Sequence, residues 1–152
     1  MKCFYLVGYH GCGKTTQANL LEQAFPQYNY IGGRLGLDTV RNVKQLVDEI
    51  KASNAPMVIH GCIFQTEPMM VRLSRLTELH VIVLHSLPET VKARTIQRGA
   101  ASYNVNKFKA HYSFIKKLPA MKKFYPFALH IVDNNRGVDE VQAELREICA
   151  PS

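Results

Sequence analysis

The stretch MKCFYLVGYHGCGKTTQANLL, Met1 to Leu21, decides how the chain is read. Apolar residues run from Cys3 to Val7. Gly8, Gly11 and Gly13 follow in quick succession, and Lys14, Thr15 and Thr16 come directly after them. Farther on, Ala18, Leu21 and Phe25 recur at helical spacing, which predicts a helix over Gly13–Phe25. A buried strand, a glycine loop and a helix therefore stand one after another.

Gly8-Tyr9-His10-Gly11-Cys12-Gly13-Lys14-Thr15 satisfies G-x-x-x-x-G-K-[ST], the P-loop, and the strand before and helix after it supply the setting that pattern needs. The residue types follow from the chemistry. Phosphates are wrapped by backbone N–H groups, and glycine permits the close approach and unusual dihedrals this requires. A helix N-terminus near Gly13 adds donors and a partial positive charge. Lys14 is expected to reach the β- and γ-phosphates and, with no nucleotide bound, to face solvent. The Thr15 hydroxyl is a candidate Mg²⁺ ligand, and Thr16 a further phosphate contact.

Outward from the loop, β-rich apolar runs recur at Lys2–Val7, Tyr28–Ile31, Pro56–Ile63, Leu79–His85 and Leu129–Asp133. Helical spacing marks Gly13–Phe25, Thr39–Ala52, Pro68–Thr77, Pro88–Gly99 and Val138–Cys149. A further helix over Asn104–Lys117 is expected to end before Pro119. Strands without polar alternation, separated by helices, predict an α/β fold with a parallel sheet covered on both faces. Residues 1–152 read as one domain, with no repeat or linker.

Composition narrows the classes. Apolar residues make up 47% of the 152, which fits a packed core and argues against disorder. No apolar run approaches a membrane span, no signal peptide is legible, and four scattered cysteines suit reduced thiols, so a cytoplasmic protein is expected. The net charge of +7 is unevenly placed. Thr90–Val132 holds nine Lys/Arg and no acid, whereas the rest has ten basic and twelve acidic residues. Seven of the fourteen Phe/Tyr lie in the same segment. Basic and aromatic residues interleaved in this way suit a phosphate-rich partner that stacks.

With these features the chain resembles the small P-loop kinases, a group that includes nucleoside, nucleoside-monophosphate and polynucleotide kinases. The resemblance spans nearly the whole chain. Besides the P-loop it rests on Leu84–Arg98, similar to the family's strand followed by a helix with two arginines. It rests also on Ile131-Val132-Asp133-Asn134 and the helix after it, similar to the last strand and C-terminal helix, whose connecting loop lies near the adenine. The resemblance implies a three-layer P-loop NTPase fold with strand order 2-3-1-4-5 and a helical basic lid over about 90–127. It implies ATP as donor and Mg²⁺ as cofactor. Arg94 and Arg98 would neutralise the transferring phosphoryl group; otherwise they are a solvated basic face. The third strand departs from the family, because His60 stands where an Asp supporting Mg²⁺ is often found. The short chain also leaves little room for an inserted acceptor-clasping domain.

The acceptor side offers alternatives. Gly32–Asp38 follows the second strand, at the carboxyl end of the sheet where such folds bind ligands. Asp38 is a candidate catalytic base, or else the N-cap of the helix starting at Thr39. Glu67 is a second candidate base, or else a first-turn acid. Arg34 and Arg41 are placed to hold an acceptor phosphate. Lys107, Lys109, Lys116 and Lys117, with Tyr103, Phe108, Tyr112 and Phe114, form a candidate nucleic-acid surface; otherwise the lysines are solvated and the aromatics are core. The expected activity is phosphoryl transfer from ATP to a hydroxyl of a nucleic-acid or nucleotide acceptor, 5-hydroxymethyluracil in DNA included. A kinase of a free nucleoside, nucleoside monophosphate or small metabolite, and a non-kinase P-loop ATPase or switch, are the alternatives. Monomer and homodimer are both compatible with the sequence, as is the host cytoplasm for a viral protein.

Overall fold

In a computed structural model of the chain, residues 1–9, 12–32, 39–60, 66–97 and 105–151 are described, with side chains omitted at 39–43, 105, 107 and 108. β1 (Lys2–Gly8) lies in the middle of a five-stranded sheet. β2 (Asn29–Ile31), β3 (Met57–Ile59), β4 (Glu78–His85) and β5 (Ala128–Asp133) complete it. The order is β2-β3-β1-β4-β5, as expected, and every pairing is parallel.

Six helices join and cover the strands: α1 (Lys14–Ala24), α2 (Thr39–Ala52), α3 (Glu67–Leu76), α4 (Pro88–Gln97), α5 (Val105–Met121) and α6 (Val138–Cys149). The pleat of β1 divides its side chains between two cores. Cys3, Tyr5 and Val7 pack with Leu46 and Ile50 of α2, Met70 and Leu73 of α3 and Leu118 of α5. Phe4 and Leu6 pack with Leu21 of α1, Val91 of α4 and Val141 and Leu145 of α6. From Cys3 to Val7 no side chain is more than 1% exposed, which is why this run is apolar throughout.

Two expectations need correction. The helix expected to stop before Pro119 continues through it to Met121. Pro119 lacks one N–H, but it sits in the last turn, where Leu118 and Met121 are buried. Their packing and the closing bonds from Lys122 N to Leu118 O (3.1 Å) and Tyr125 N to Met121 O (3.1 Å) offset the lost donor. The third strand is Met57–Ile59, shorter than the expected Pro56–Ile63; His60 continues only as far as a bond from its N–H to Ile31 O at 2.8 Å. Residues 61–63, and Gly99, the expected stop for α4, lie outside the described residues. Among the described residues no helix is long and apolar enough to cross a membrane.

Candidate active site

The site grows from the carboxyl end of β1. A Cβ at Gly8 would come within 2.6 Å of Cys12 Sγ and 3.2 Å of Leu84 O, so the loop closes only over a glycine. Gly13 takes the left-handed conformation (φ 98°, ψ 20°) and is the N-cap of α1. It brings no side chain to the helix start. First-turn amides have no partner within a helix, and a helix start of this kind suits an anion. Thr15 and Thr16 stand exposed in that first turn.

Tyr9 is the node of the loop. Its carbonyl accepts a hydrogen bond from Cys12 N (3.0 Å), closing a tight turn, and another from Lys14 Nζ (3.1 Å). Lys14 Nζ also donates to Gly8 O at 2.9 Å and lies 4.0 Å from Cys12 Sγ. Here the expectation of a solvent-facing lysine is overturned: Lys14 is only 6% exposed. The loop's own carbonyls draw the ammonium inward, where phosphate oxygens would compete for it. His10 and Gly11 lie outside the described residues.

The turn between β5 and α6 closes one side. Asn134, itself buried, donates from Nδ2 to Cys12 O (2.7 Å) and to Ser86 Oγ (3.0 Å), while its N–H donates to His85 O (2.8 Å). Arg94 of α4 reaches the same place, with Nη1 donating to Cys12 O (3.4 Å) and Nη2 to Arg136 O (3.3 Å). Cys12, Gly13, Thr16, Arg94, Asn134 and Arg136 share one cleft. Arg136 is held by Glu144 and by the Asp133 carbonyl (2.9 Å from Nε). The Asp133 carboxylate accepts from the backbone and side-chain N–H of Asn135, which hold it below the usual carboxylate range. Behind the cleft Gln142 donates to Gln17 Oε1 at 2.8 Å, tying α6 to α1. Arg98 lies outside the described residues, so Arg94 is the member of the expected pair placed at the loop.

On the acceptor side, Arg34 and Asp38 fall outside the described residues, as do the side chains of Arg41 and Lys107. His60, where the resembling family often has an acid, is buried, and a Cβ at Gly32 would fall inside its imidazole; the ring fills the place of a side chain at position 32. Glu67 opens α3 behind the N-cap Thr66, whose hydroxyl accepts from Met69 N (3.3 Å), and its carboxylate accepts from Tyr125 OH (3.4 Å). Glu67 thus stands in the first turn of α3. Lys116 and Lys117 are exposed on α5. Phe114 packs against the core, and Tyr112 stacks on Tyr9 with centroids 6.4 Å apart. Among the described residues no cluster of three or more His, Cys, Asp or Glu suits a metal.

Sequence reasoning gave no role to Ser86 or Arg136, and none to the Asn134 carboxamide. The one available signal was position, since each follows the carboxyl end of a predicted strand.

Comparison with known proteins fits this geometry. No family model matches the chain. An adenylate kinase from Campylobacter concisus (strain 13826) is 28% identical over an alignment 187 positions long, gaps included, which takes in 97% of this chain and 96% of the relative. A gluconokinase structure from Sinorhizobium meliloti 1021 superposes with TM-score 0.65 at 16% identity, covering 97% of this chain and 94% of that one. A shikimate kinase from Acinetobacter baumannii in complex with shikimate gives TM-score 0.60 at 17% identity, covering 96% and 92%. The fold is therefore that of the P-loop kinases. Sequence and fold together support the small P-loop kinase family, and with it the class of P-loop phosphotransferase.

Proposed function

We propose that the chain transfers the γ-phosphate of ATP to a small acceptor, a nucleotide before a non-nucleotide metabolite. The observation that carries this is the Lys14 ammonium held inside the glycine loop by the carbonyls of Gly8 and Tyr9, beside the uncapped start of α1. A compact ammonium next to the first-turn amides of a helix matches the charge of a polyphosphate. Arg94 and Arg136, at the cleft beside the loop, suit the nucleoside end or a developing phosphoryl charge. The adenylate kinase relative favours a nucleotide acceptor; the gluconokinase and shikimate kinase folds keep a small hydroxyl compound as the alternative.

Mg²⁺ fits the loop through the Thr15 hydroxyl, with phosphate oxygens and water completing its shell. When bound it neutralises charge on the transferring group. Arg34, Arg41 and Asp38 keep their proposed acceptor roles, and Arg98 its role beside Arg94. A polymeric acceptor, modified DNA included, has less support, since Phe114 belongs to the core and Tyr112 is engaged by Tyr9 and Lys116.

The test is incubation with γ-labelled ATP and separate panels of nucleosides, nucleoside monophosphates, sugar acids, and plain or 5-hydroxymethyluracil DNA. Label in a small product supports the proposal. Label only in DNA returns the polymer reading, and slow acceptor-independent hydrolysis favours an ATPase.

A further inference from the structure

The loop carbonyl that holds Lys14 belongs to a residue whose side chain is clamped from elsewhere. Tyr9 is 1% exposed. Its ring meets His85 of β4 edge-on, with centroids 6.2 Å apart and planes at 61°. It also stacks on Tyr112 of α5, at 6.4 Å and 26°. Both arrangements lie within the range where aromatic pairs attract. Lys116, one turn farther along α5, places its ammonium 5.4 Å from the Tyr112 ring centroid, within cation–π range. Four side chains from β4, the loop and α5 thus form one continuous stack, and its inner member carries the peptide that both closes the turn to Cys12 and accepts from Lys14.

We propose that Tyr112 is a positioning residue for the phosphate loop. Through Tyr9 it fixes the carbonyl on which the Lys14 ammonium rests, and so sets that ammonium for the nucleotide. Tyr112 acts through Tyr9 and need touch no substrate. The exposed ring of α5 is thereby assigned to the donor side of the reaction, away from any acceptor polymer. The inference rests on the loop being the nucleotide site.

The experiment uses the full chain with Tyr112→Ala and Tyr112→Phe. Because Tyr112 is 43% exposed, truncation opens no sealed cavity. If the alanine variant fails to fold, Tyr112→Leu, which keeps bulk without a ring, replaces it. One readout is the KM for ATP against the KM for the acceptor. The other needs no activity: the rate at which the Lys14 amine is acetylated by a small reagent, followed by mass spectrometry of its peptide.

Loss of one aromatic pair shifts an equilibrium by about three- to tenfold. The alanine variant should therefore raise the KM for ATP and the Lys14 acetylation rate by factors in that range. The acceptor KM should stay unchanged, and phenylalanine should restore wild-type behaviour. Wild-type values for both readouts in the alanine variant would overturn the proposal. So would a phenylalanine variant as impaired as alanine. If the wild type uses no ATP at all, the kinase reading falls, and Lys14 acetylation alone decides whether Tyr112 positions the loop.

Discussion

The carboxamide of Asn134 donates to the carbonyl oxygen of Cys12 at 2.7 Å, joining the last strand's exit to the phosphate loop across 122 residues of chain. The same nitrogen donates to Ser86 Oγ at 3.0 Å, so one buried side chain binds three strand ends together. Asn134→Ala leaves the Cys12 carbonyl and the Ser86 hydroxyl short of a buried donor, a loss of about 1–3 kcal/mol. Thermal melts should show lower stability and kinetics a raised KM for ATP. Asn134→Asp should be at least as damaging, because a carboxylate has no proton to offer the carbonyl. Wild-type melting in both variants would refute the role.

Gly8→Ala tests the closure of the loop. Its new methyl group meets a sulfur that can be removed and a backbone oxygen that cannot. We expect a cost of about 1–3 kcal/mol and weaker nucleotide binding. Adding Cys12→Ala should recover part of the stability, since the contact with Leu84 O remains. Full recovery in the double variant would show that the sulfur was the whole obstacle.

Lys14→Ala should lower kcat by about 100-fold or more, on the scale of removing one preorganised charge-stabilising donor. Because the lysine is buried, the variant should also lose about 1 kcal/mol of stability, seen as a melting temperature lower by roughly 2–4 °C. Lys14→Arg should not rescue activity, because a planar fork does not replace a compact ammonium. Turnover near wild type in either variant would exclude the mechanism.

A pH effect arises far from the loop. His130 on β5 is held below the ordinary imidazole value, first by burial and then by His80 and Lys122. His80 lies 3.3 Å from it, nitrogen to nitrogen, and is also close to Glu78. As pH falls through the ordinary value near 6.5, the unfolded chain takes the proton before the folded one does. This contribution to stability is complete above about pH 6.5 and declines below it, until the folded imidazole is itself protonated. His130→Gln should shrink the difference between urea melts at about pH 7.5 and about pH 5. An unchanged difference would remove His130 as the cause.

The phosphate loop and the buried strands were legible because their signals are local, whereas the sheet order came from the family resemblance. Glycine spacing, a lysine and a hydroxyl occupy adjacent positions, and a buried parallel strand announces itself as an unbroken apolar run. The course of α5 past Pro119 was not legible, since proline's local penalty is overridden by the burial of Leu118 and Met121. Lys14's inward direction depends on which way two loop carbonyls point, and residue types do not encode that. Asn134, Ser86 and Arg136 meet only after the strands assemble, and no sequence spacing links them.

The way α5 is fastened has a mechanical consequence. Its C-terminal end is pinned by Leu118 and Met121, whereas Asn106, Lys109 and Tyr112 toward the other end are exposed. At 1.5 Å per residue, Val105 is about 20 Å from Leu118 and Tyr112 about 9 Å. Phe114 and Ile115 also pack against the core, so α5 is held from Phe114 to Met121 and its exposed first turns project beyond that hold. Tyr112 thus stands at the edge of the anchored part of the helix, so a load applied to the far end would meet its first fixed point beside the phosphate loop.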